Sequence, residues 1–254
     1  MVLALTLVAE KISPAWAGII SGLPTGTAIS LFFFGLEVSP MYAAESALYN
    51  LLGLTASLSF IYFYYIFSHY ISKYSLLIAS ISGIFGFLIV AFILSLKHFS
   101  VFGSVAIPFI VNLGLFLVFK TIPNTTIKDK IKLKIPILLM RVFVSSLLIV
   151  LITFIPRIAG PEWAGLFSAF PSTLFPLLVI IHFNYGKEHT HTIIKNMPKG
   201  MFSLIAYSFT VSLLYAKIGI YWGTLCAYSL AFGLLIIIQK VECVFTKNAF
   251  NKKE

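Results

Sequence analysis

The sequence predicts an all-α polytopic membrane bundle of about nine helices, two inverted-topology four-helix repeats joined by a linker helix. Three observations predict it. Of 254 residues, 59% are hydrophobic and only 10% charged, with a mean hydropathy of +1.00. A soluble domain carries about 25% charged residues, so this chain lacks the polar surface to cover a globule in water. Apolar stretches recur at about the 20-residue length that crosses a hydrocarbon core of about 30 Å. The sequence also matches itself at an offset of 147 residues.

The apolar segments run 1–11, 15–36, 41–67, 75–96, 101–120, 135–156, 162–184, 199–217 and 219–240. The first is too short to span a membrane by itself. The fifth contains Pro108 and Asn112 but is otherwise apolar, so it counts as a span. The longest polar break, 121–134, carries Pro123, Asn124 and the comb Lys128, Lys130, Lys132 and Lys134. No soluble domain fits between the segments, and no alternation of short strands suggests a barrel. Residues 1–97 read as the first four-span repeat and 98–134 as the linker helix and basic cytoplasmic loop. Residues 135–241 read as the second, inverted repeat and 242–254 as a polar, mobile cytoplasmic tail. Ala15-Trp16-Ala17 has the form of a signal cleavage site, but no basic region precedes it and the stretch recurs later in the chain. Cys226 and Cys243 form no CxxC pair and no disulfide framework.

The repeat is carried by punctuating residues. Residues 14–24, PAWAGIISGLP, fall on 161–171, PEWAGLFSAFP, with Pro, Trp, Ala, Gly, Ser and Pro shared. Without a gap, Gly53 falls on Gly200, Tyr74 on Tyr221, and Phe85 and Gly86 on Phe232 and Gly233. Shared Leu and Ile mean little in apolar segments. Shared Pro, Trp and Gly answer backbone and interfacial needs. Spans one to four map onto six to nine. The shift is odd, so the second copy enters the membrane from the opposite side, as in many secondary transporters.

The charges support that topology. Fourteen of the eighteen Lys and Arg residues fall on one side, among them Lys11, Lys73, Lys120, the comb and Lys187. Lys97, Arg157 and Lys217 fall on the other, and Arg141 lies within a span. The positive-inside rule makes the richer side cytoplasmic. This predicts an inner (cytoplasmic) membrane protein with its N-terminus outside and its C-terminus inside. The net charge of +10 therefore reports topology rather than nucleic-acid binding, for which no aromatic-plus-basic module is visible. The lipid bilayer is the expected partner, and oligomerisation is left open.

The run 164–171, AGLFSAFP, followed by His182 and by Gly186-Lys187-Glu188, resembles the small GlpM-type inner-membrane proteins. Those are single four-span units of about half this chain's size. The resemblance is best over 148–240. The first half departs from it, with Leu23 before the proline and Gly35 at the place of His182. It implies a four-span unit and an origin by duplication and fusion, and it names no substrate.

Matched helix breaks in the two halves are the best pointer to a site. Pro24 and Pro171 supply them, each about ten residues or 15 Å into its span, near the midplane. Proline deletes a backbone donor and exposes a carbonyl one turn earlier. Hydroxyls surround both breaks: Ser21, Thr25 and Thr27 at the first, Ser168, Ser172 and Thr173 at the second. Facing each other, they would hold an ion or a polar head group. The competing reading is a packing kink whose freed groups the hydroxyls satisfy. Glu45, Arg141 and His182 are the candidate charged participants. Against these roles, Glu45 also reads as a first-turn acid, Arg141 as a snorkelling cation and His182 as an interfacial histidine.

Glu188-His189-Thr190-His191 reads as a loop with too few ligands for a metal site. Lys195 and Lys199 read as topology anchors at the mouth of span eight. No HExxH, G-x-S-x-G, nucleotide loop or paired intramembrane carboxylate occurs, so no enzyme and no cofactor are predicted. The expected function is a small transporter of a solute, ion or lipid head group, working by alternating access. The alternative is a non-transporting accessory or assembly protein of the cell envelope.

Overall fold

The structure, a computed structural model, describes residues 1–97, 99–127 and 160–250, with side chains described as far as Lys240. Among these residues there are ten helices and no strand. They are α1 (Val2–Lys11), α2 (Pro14–Ser21), α3 (Thr25–Glu37), α4 (Pro40–Tyr70) and α5 (Ser75–Ser95). Then follow α6 (Val101–Phe119), α7 (Gly160–Ser168), α8 (Leu174–Tyr185), α9 (Lys187–Ile218) and α10 (Ile220–Phe250). The expected sixth segment 135–156, with Arg141, lies outside the described residues, as do Arg157 and the lysine comb.

Serine and proline begin α2 and α4. Ser13 accepts from the Trp16 amide ahead of Pro14, and Ser39 accepts from the Tyr42 amide ahead of Pro40. Each cap satisfies an orphan donor, and proline at the first position gives up none that the helix needs. Gly186, at φ +89°, turns the chain sharply from α8 into α9, a conformation that costs glycine little.

Among the described residues, six helical segments are long and apolar enough to cross a membrane, with α2 and α3 counted as one interrupted segment, Pro14–Glu37. α8 is a shorter apolar helix of 12 residues. The chain is a multi-pass helical membrane protein. α4 and α9 form its centre, packed on each other and more deeply buried than the other spanning segments. α5 lies on α4, α10 lies on α9, and α6 crosses both central helices. Phe85, Phe102 and Ile110 on the outer helices are exposed, as a lipid-facing surface requires.

Two elements differ from expectation. α9 begins at Lys187 rather than near 199, so the Glu188–His191 stretch is not a loop but the first turns of a 32-residue helix. Its polar side chains are paired. Thr192 donates to the Glu188 carbonyl and Asn196 to the Thr192 carbonyl, and Thr125 reaches Thr192 and His189. Lys195 donates to the Ile122 carbonyl and Lys199 to the Asn196 side chain. Hydropathy alone could not see a helix held by such pairs. α10 also continues to Phe250, through most of the stretch expected to be a mobile tail. The fully buried Asn112, an oddity in an apolar span, donates to the carbonyl of Pro198 inside α9 at 3.0 Å.

Candidate functional site

Two interrupted helices meet at the centre of the bundle. α2 ends at Ser21 and α3 resumes at Thr25, while α7 ends at Ser168 and α8 resumes at Leu174. Proline has no amide hydrogen, so neither helix can run on through it without losing a bond. At Pro24, φ −75° and ψ 55° form an inverse γ-turn, with the Thr25 amide donating to the Leu23 carbonyl at 2.7 Å. Across Pro171 the Ser172 amide donates to the Phe170 carbonyl, also at 2.7 Å. The next helix then starts from the proline carbonyl in both cases, accepting from Ala28 and from Phe175.

The breaks face each other. Thr27 Oγ1 donates to the Ser168 carbonyl at 3.2 Å, and Ser57 Oγ donates to the Ala169 carbonyl. Asn50 of α4, fully buried, donates through Nδ2 to Ser168 Oγ at 2.7 Å and accepts from Ser208 Oγ of α9 at 2.7 Å. Tyr228 of α10 donates to the Pro24 carbonyl at 3.4 Å. A Cβ built on Gly26 would lie 3.0 Å from Ser172 Oγ.

Between the breaks lies a cavity of about 30 Å³. Of the expected site residues, Ser21, Thr27, Pro171, Ser172 and Thr173 line it. Ser168 and Pro24 take part through the bonds just given. Thr25 lies beside the cavity rather than in its wall, and it is partly exposed. Reading the sequence missed Asn50, Ser57 and Ser208, which belong to the two central helices. Asn50 carries a usable signal, a strongly polar amide inside the apolar segment 41–67.

Of the charged candidates, Glu45 and His182 lie elsewhere, and Arg141 is outside the described residues. Glu45 is exposed on the surface of α4. His182 is buried, and its Nδ1 pairs with Tyr64 Oη at 3.0 Å and its Nε2 with Ser75 Oγ at 3.2 Å. It belongs to a second polar region near the C-terminus of α4. There Ser68 Oγ pairs with His191 Nε2 at 2.8 Å, and the His69 and His191 rings lie 5.9 Å apart. Tyr65, His69, Lys187, Glu188 and His191 line a cavity of about 220 Å³ beside them. Among the described residues, no group of three or more His, Cys, Asp or Glu side chains is placed to hold a metal ion.

Comparison of the chain with family models, with curated proteins and with solved structures gives no match.

Proposed function

We propose that this protein is a small membrane transporter that moves a solute, ion or lipid head group by alternating access between two inverted repeats. Its working site is the cavity between the Pro24 and Pro171 breaks. The observation that carries the reading is the recurrence of contacts at the 147-residue offset. A Cβ on Gly18 would fall on the carbonyl oxygen of Ile193, and one on Gly165 would fall on that of Ser46. Gly200 meets the Ile19 carbonyl, and Gly53 meets that of Leu166. In each pair of contacts, one partner moves forward by 147 residues and the other back. The backbone hydrogen bonds around Pro24 recur around Pro171, both partners moving forward by 147 residues. α2 of one half packs on α9 of the other, and α7 packs on α4.

Such an exchange gives the protein two nearly equivalent ways to close around its centre, which is the physical requirement for a two-sided site. The lysine distribution argues that the end bearing His69, Lys73 and Lys187 is cytoplasmic. The GlpM-type resemblance argues for duplication and fusion of a four-span unit.

Two-sided access can be tested without knowing the substrate. Ser172→Cys in a Cys226→Ser, Cys243→Ser background is exposed to a membrane-impermeant thiol reagent from each face of oriented vesicles. Labelling from both faces is expected. Labelling confined to one face, or absent from both, excludes alternating access at this cavity. Pro24→Ala with Pro171→Ala should restore straighter helices and slow the labelling from at least one face.

A further inference from the structure

Hydrogen-bond accounting in the central cavity points to the class of ligand. A hydroxyl carries one proton and two lone pairs. Ser21 donates its proton to the Gly18 carbonyl at 2.7 Å, Thr27 to the Ser168 carbonyl at 3.2 Å, and Ser57 to the Ala169 carbonyl. All three side chains line the cavity. With their protons committed, they offer a ligand only lone pairs.

The two breaks differ in how the carbonyls just before them are capped. In an unbroken helix the carbonyls of Ser21 and Gly22 would accept from the amides of residues 25 and 26. At the break, the Thr25 amide turns to the Leu23 carbonyl instead. The carbonyls at the same place in the second break, Ser168 and Ala169, are capped by Thr27 and Ser57. The residues 147 positions beyond those two caps are Leu174 and Leu204, which have no hydroxyl to give. Both leucines line the cavity together with Ser21. Among the described residues, no donor is seen on the Ser21 or Gly22 carbonyl. A buried carbonyl without a partner costs free energy, so something else is expected to satisfy it.

Resting on the reading of the facing breaks as the working site, we propose that this cavity binds one dehydrated, sodium-sized monovalent cation. Size favours it, since a cavity of about 30 Å³ has room for one or two water-sized occupants. Charge favours it too. Among the described residues, no Asp, Glu, Lys, Arg or His lines the cavity, so neither the carboxylates that hold a divalent cation nor a counter-charge for an anion is described there. The positive N-terminus of α3 sits beside the negative C-terminus of α2, and the two half-charges offset each other. The local oxygens then decide.

The full-length protein in detergent is heated while NaCl is replaced by KCl or choline chloride at constant ionic strength. A saturable rise in Tm specific to sodium is expected, because a ligand bound by the folded state stabilises it. Leu174→Thr supplies the cap missing from the carbonyl of Ser21, which lines the cavity, and Ser21→Ala removes a cavity oxygen. Each should weaken the sodium response by about tenfold or more, the effect of one lost charge-assisted contact. Equal curves in the three salts overturn the proposal. So does a sodium response unchanged in both variants. If Leu174→Thr does not fold, Ser21→Ala decides alone. Equal curves with two-sided labelling of Ser172→Cys overturn the cation and leave alternating access standing. A sodium response with one-sided labelling does the reverse.

Discussion

Gly22 and Gly200 meet backbone to backbone, where α2 crosses the central helix α9. A Cβ on Gly22 would lie 2.5 Å from the carbonyl carbon of Gly200 and 2.6 Å from its Cα. Only two glycines let the helices approach so closely, and the crossing sits one turn from the Pro24 break. Gly200→Val should therefore push α2 away and lose about 1–3 kcal/mol by overpacking. Gly114→Ala on α6, where a Cβ meets nothing within 4 Å, should be neutral or slightly stabilising. Thermal unfolding in detergent, read side by side, checks the contrast.

Asn50 bridges Ser168 of α7 and Ser208 of α9 with no exposure. Asn50→Leu removes both bonds: Ser168 Oγ keeps its bond to the Gly165 carbonyl, but Ser208 Oγ loses its acceptor beside an apolar group. A loss of about 1–3 kcal/mol is expected. Asn50→Asp, if it folds, should fare worse, since a buried carboxylate has no described cation to meet. Denaturation midpoints of the two variants give the order.

The Tyr64–His182 pair predicts a non-additive cycle. Tyr64→Phe and His182→Leu each leave the other partner buried with one bond fewer. The double variant removes the pair together. Its destabilisation should fall short of the sum of the singles by about 0.5–1.5 kcal/mol. Additive losses in a double-mutant cycle would show that the contact contributes nothing.

Glu45 supplies the contrast for the proposed alternating access. It is exposed on α4 and lines neither cavity. Glu45→Gln should leave stability unchanged and Ser172→Cys labelling two-sided. A changed labelling pattern would return Glu45 to the mechanism.

Much of the fold was legible because its causes are local. Apolar segments of spanning length, Ser-Pro helix starts and the prolines at 24 and 171 act within a turn or two of chain. Where the breaks fall could be read directly, since a missing amide hydrogen interrupts a helix wherever it stands. The helical start of α9 was not legible. Its first three turns are polar, and they are held by Thr125 and by the Ile122 carbonyl, some 60 to 75 residues away in sequence.

The sequence by itself determined that the chain is helical, spans a membrane several times and breaks two of its helices at matched prolines. Only the tertiary structure decided what meets those breaks. Thr27 reaches Ser168 across 141 residues and Ser57 reaches Ala169 across 112, while Leu174 and Leu204 give nothing in return. Such pairings depend on which side chains the packed helices bring within hydrogen-bonding distance. No local property of the chain encodes that distance.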